Sequence, residues 1–70
     1  MDTGRYRAAR AIVEKYTELE LDQCLNTGAA IIDAAGTFNE QVLTELRRVG
    51  FGTYVIPVPR GQIVVVCEAS

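Results

Sequence analysis

The sequence predicts a small α+β domain with its elements in the order helix, strand, helix, strand, strand. Three observations carry that prediction. Apolar residues recur at spacings of three and four in two separate stretches, as on a helix with one buried side. Two β-branched runs near the end of the chain are separated by a short Pro-Arg-Gly connection, which reads as a hairpin. The chain has 70 residues, enough for one domain and no more.

The first helix is expected from Arg5 to about Leu21, with Tyr6, Ala9, Val13 and Tyr16 on its apolar side and Ile12 and Leu19 flanking them. Thr3 is the expected N-cap. The helix, or a continuation through Asp22, Gln23, Cys24 and Leu25, should stop at Asn26-Thr27-Gly28, because Asn and Gly tolerate the left-handed backbone of a C-terminal cap. The next run, 29-AAIIDAA-35, is bracketed by Gly28 and Gly36 and is short enough for a buried strand, although its alanines favour helix.

Thr37-Phe38-Asn39-Glu40 has the Thr-x-x-Glu spacing of a capping box. A second helix is expected from about Asn39 to Val49, burying Phe38, Val42, Leu46 and Val49. Arg47 and Arg48 complement its dipole, and Gly50 closes it. Thr53 to Val58 and Gln62 to Cys67 then form the hairpin. Pro57 and Pro59 cannot donate to a ladder, so the first arm is expected at an edge. The all-apolar Ile63-Val64-Val65-Val66 suits a central strand. The expected result is a three-stranded mixed or antiparallel sheet, ordered first, third, second, with two helices packed on one face. An alternative topology, the winged helix-turn-helix, requires residues 29–35 to be helical.

Composition narrows the chemistry. No histidine is present, which excludes a Ser-His or Cys-His nucleophile pair and most zinc sites. Glu18, Glu20, Asp22 and Asp33 are the only acids whose convergence would suggest carboxylate catalysis, and acids on a helix face are usually just solvated. Gly50-Phe51-Gly52 follows a helix instead of opening one, so it lacks the free amides of a phosphate loop. No metal, cofactor or enzymatic activity is expected. Cys24 and Cys67 read as two thiols of a reducing compartment or as one disulfide. The sequence has neither a signal-like apolar core nor a run of membrane-spanning length, so a cytoplasmic location is expected.

Both faces of the predicted hairpin are apolar: Tyr54, Ile56 and Val58 on one, Val55 and Pro57 on the other, with Ile63 and Val65 opposing Val64 and Val66. Two helices cover one face, so the other needs a second copy, a partner protein or a first helix that crosses over. The functional expectation is therefore a non-enzymatic protein that binds protein. It would be a homodimeric accessory or inhibitor that occludes a partner's surface, as many small acidic products of phages and mobile elements do. The expected dimer contact is Val55, Pro57, Val64 and Val66. The expected partner contact is an acidic ridge of Glu14, Glu18, Glu20 and Asp22, able to mimic phosphate charge. The alternative is a winged-helix DNA-binding regulator using Arg47, Arg48 and Arg60. The formal charge of −2 and the acids Glu40 and Glu45 on the would-be recognition helix weigh against nucleic acid.

Overall fold

A computed structural model of the chain describes residues 2–24, 28–33, 36 and 38–68, with Cys24 and Ile32 described by backbone alone. The first helix, α1, spans Thr3–Tyr16. Its N-cap is Asp2 in place of the expected Thr3, because the Asp2 carboxylate accepts the Arg5 amide at 2.8 Å and its charge suits the positive helix end. The helix also ends earlier than expected. At Thr17 the backbone turns extended, and both the Thr17 amide and its hydroxyl donate to the Val13 carbonyl at 2.9 Å.

Beyond Thr17 the apolar pattern changes period. Leu19 and Leu21 alternate with exposed Glu18, Glu20 and Asp22, which is the spacing of an extended chain. Leu21 is fully buried, and the Tyr6 hydroxyl donates to its carbonyl at 2.5 Å, tying this segment back against α1. It leads into β1 (Asp22–Cys24), a strand absent from the sequence-based expectation.

Strand β2 is Gly28–Asp33, beginning one residue before the expected strand of 29–35; Ala34 and Ala35 lie outside the described residues. So does Thr37, and with it the expected capping box. The helix that follows, α2, spans Glu40–Arg48 and is capped by Asn39, whose side-chain oxygen accepts the amides of Gln41 and Val42. Gly50 closes α2 at φ +94°, a backbone that other residues rarely adopt. Strands β3 (Phe51–Val58) and β4 (Gly61–Glu68) form the hairpin around Pro59-Arg60.

The sheet has four antiparallel strands in the order β1-β2-β4-β3, so the expected three-stranded sheet and five-element order are corrected to four strands and six elements. The all-apolar β4 lies between β2 and β3, and the proline-bearing β3 is an edge. Because β2 and β3 are each antiparallel to β4, they run parallel to one another, with α2 as the crossover. The winged-helix topology is overturned, since residues 28–33 pair with both β1 and β4 as a strand.

Ladder partners share a face of the sheet. The register therefore places Ala29, Ile31 and Asp33 of β2, Val64 and Val66 of β4 and Phe51 of β3 on one side, and all six are buried. They pack with Ala9 and Val13 of α1, Val42, Leu43 and Leu46 of α2, and Leu21 and Phe38. Both helices thus cover this inner face. The first helix does not cross to the other.

Arg5 locks the helices to the sheet. Its Nε bonds Glu68 at 2.8 Å, one Nη donates to the Val49 carbonyl at 2.9 Å, and the guanidinium stacks 4.1 Å from the Phe51 ring centroid. The Glu68 hydrogen bond is the main cause raising the Arg5 pKa further above its ordinary value. A single side chain thereby joins α1, the end of α2 and both arms of the hairpin. Arg5→Ala is expected to lower the thermal midpoint by several degrees in a circular dichroism melt. Arg5→Lys should recover little of this, because an ammonium cannot supply the planar fork and the stacking together.

Candidate protein-contact surface

The outer face of the sheet carries Ala30 from β2, Ile63, Val65 and Cys67 from β4, and Tyr54, Ile56 and Val58 from β3. Cross-strand pairs Tyr54–Val65 and Ile56–Ile63 sit side by side on it. Tyr54 is 64% exposed and Ile56 48%, while Val65 and Ile63 are only half-buried by their neighbours. No charged residue occupies an outward position of β3 or β4 between Gly52 and Cys67. Among the described strand residues the only acid on this face is Asp22 of β1, level with Ala30.

The four residues expected at a dimer contact do share one face, but it is the inner one. Val64 and Val66 are 0% exposed beneath the helices and offer no surface. Val55, at 46%, and Pro57 are exposed because the hairpin extends past the helices, so its tip is uncovered on both sides. Sequence patterning could not separate the faces, since both are apolar. The helix that crosses from β2 to β3 decides which one is covered.

Glu14, Glu18, Glu20 and Asp22 are all exposed. Arg10 is set among them: its Nε bonds Glu14 at 2.7 Å, and the Glu20 charge acts on it at longer range, so the Arg10 pKa is raised. The ridge is thus partly neutralised along its length. A shallow open depression at the end of α1 is lined by Glu14, Lys15, Tyr16, Thr17 and Glu18. Asp33 does not join the acids; it is buried in the core, where it accepts the Phe38 amide at 2.9 Å and the Gln62 side-chain amide at 2.8 Å.

Arg47 and Arg48 lie exposed at the end of α2, and Arg48 bonds Glu45 at 2.8 Å, which holds the Glu45 carboxyl below its ordinary range. Arg60 stands at the hairpin tip, roughly 23 Å along β3 from the end of α2 at ~3.3 Å per residue. The three arginines therefore form no common patch.

Cys67 is a free thiol. Cys24 of β1 pairs with Gly28 of β2, and Gly28 lies against Cys67 of β4, so the two cysteine backbones are two strands, or roughly 10 Å, apart. That exceeds the reach of a disulfide. Among the described residues no three of His, Cys, Asp and Glu are grouped as a metal site would need, and no helix is long and apolar enough to cross a membrane. Compared with known proteins, the chain matches no family model, no characterised protein and no solved structure at a significant level.

Proposed function

We propose that this chain works by protein contact and not by turnover, as an accessory or inhibitor protein that covers a surface of its partner. The observation that carries this reading is the uncovered outer face of the sheet, with Tyr54, Ile56, Ile63 and Val65 side by side and uncharged. A contiguous apolar face of this kind on a small domain marks an interaction site, because leaving it in water forgoes the burial energy that such a domain most needs. Exposed Glu18, Glu20 and Asp22, on the segment that leads into and opens β1, are charged and stand apart from this uncharged centre. Nucleic-acid binding through Arg47, Arg48 and Arg60 has no comparable support.

The test places charge on the face without touching the core. Tyr54→Lys with Ile56→Lys should leave the melting midpoint within a few degrees of the parent, since both side chains are exposed. The same variant is expected to lose at least about tenfold in any complex the parent forms, followed by light scattering and by stoichiometric co-purification from the chain's native cells. Arg47→Glu with Arg48→Glu should leave those complexes intact. A doubly substituted sheet face that still forms every complex of the parent would sink the proposal.

A further inference from the structure

We infer that the occupant of the outer face is a second copy of this chain, packed sheet on sheet about a two-fold axis running along β4. This inference rests on the contact reading above and names its partner.

The argument begins with the relief of the face. One rung runs Asp22, Ala30, Val65, Tyr54 from β1 across to β3. Its β2 side ends in a methyl group, whereas its β3 side raises an exposed phenol. The next rung, Ile32, Ile63, Ile56, has isoleucine at all three positions, so the contrast in height belongs to the first rung. A two-fold axis along β4 exchanges the two sides, so β3 of the second copy lies over β2 and the reverse. The sequence Ala30, Val65, Tyr54 along a rung is then met by Tyr54, Val65, Ala30 of the second copy. High ground covers low ground, and each Tyr54 hydroxyl is carried toward Asp22, the one charged group on the rung.

Size and charge agree with this occupant. Eight residues in each of β3 and β4 and six in β2, at ~3.3 Å rise and ~4.8 Å strand spacing, give a flat footprint of about 350 Å², which side-chain relief enlarges toward the ~600 Å² per partner at the lower end of specific interfaces. An interface at that lower end belongs to the weak, readily dissociating class. Each copy has a net charge of −2, yet β3 and β4 present no charge on this face, so two copies meet without like-charge repulsion. A different protein would be selected by charge or hydrogen-bond pattern, and the centre of this face has none. Aligned sheets ~10 Å apart, with strand directions within about 30° of each other, are the ordinary way such faces are buried.

Sedimentation equilibrium from about 1 to about 200 µM should show the parent passing from monomer to dimer mass. Tyr54→Ala alone and Ala30→Tyr alone are each expected to weaken the dimer by about tenfold or more, with circular dichroism confirming the fold. Combining them swaps high and low ground and should restore dissociation to within about threefold of the parent, a coupling that independent effects cannot produce. A parent of single-chain mass throughout, or a dimer indifferent to the swap, overturns the inference. A monomeric parent whose Tyr54→Lys, Ile56→Lys variant still loses a cellular partner overturns only this inference and leaves the contact reading standing.

Discussion

Gly28→Ala is expected to remove most of the stability of the fold. Gly28 opens β2 at φ +99°, and a Cβ placed there would stand 2.5 Å from the Val66 carbonyl oxygen and 3.3 Å from the Cys67 Cα. The obstacles are main-chain atoms of the central strand, which cannot swing aside as a side-chain end would. Backbone strain of ~1–3 kcal/mol and overpacking of similar size add to roughly 2–6 kcal/mol. A domain of this length holds only about 4–10 kcal/mol in total. The midpoint should fall by about 15 °C, or the chain should fail to fold cooperatively. Gly36 is the control: its φ is +67°, but a Cβ there meets nothing within 4 Å. Gly36→Ala should cost only about 1 kcal/mol. Chemical denaturation of both variants, if it gave equal losses, would show that the Val66 contact plays no part.

The second large effect is expected at Asp33. Its carboxyl is fully buried and accepts the Phe38 amide and the Gln62 side-chain amide on the same oxygen. Gln62 also reaches the Phe38 carbonyl at 3.4 Å, so the three residues tie the end of β2, the approach to α2 and the start of β4 together. Asp33→Ala leaves buried donors without an acceptor and should cost roughly 2–4 kcal/mol. Asp33→Asn keeps the shape and one acceptor oxygen, and should cost less. In urea titrations, Asp33→Ala combined with Gln62→Met should be less damaging than the sum of the two, because the second change removes a donor that the first has stranded. Strict additivity would mean that the Asp33–Gln62 bond contributes nothing.

These two sites differ in how far the sequence announced them. Gly28 was legible as a punctuation point, although as a helix stop and not as a strand residue pressed against β4. Asp33 was legible only as an acid among others. Its signal was its isolation: a lone carboxyl inside the apolar run from Ala29 to Ala35, where burial demands donors nearby. The second helix, its closing glycine and the hairpin were readable because local chemistry specifies them: an amphipathic period, a dipole-matched end, and prolines on an edge. Strand β1 was missed because it is three residues long, has no β-branched side chain, and follows a helical pattern whose change of period at Thr17 is marked by two leucines alone. The site was half legible. Wet apolar sheet surface was foreseen, but assigning it to Val64 and Val66 required knowing on which side α2 returns, and that is settled by packing of the whole chain and not by any segment.

The central place of β4 also bears on how the molecule comes into being. Of the four strands, the one that pairs with both β2 and β3 comes after the other three in the chain, so during synthesis β2 has only the short β1 beside it and β3 has no partner until β4 has emerged. Until then β2 is held only by the three-residue β1, β3 is unpaired, and α2 has only half a floor to rest on. Assembly is therefore a closing event in which a late segment slides between two waiting edges, contacts of long sequence separation form together, and no stable half-product precedes the finished sheet.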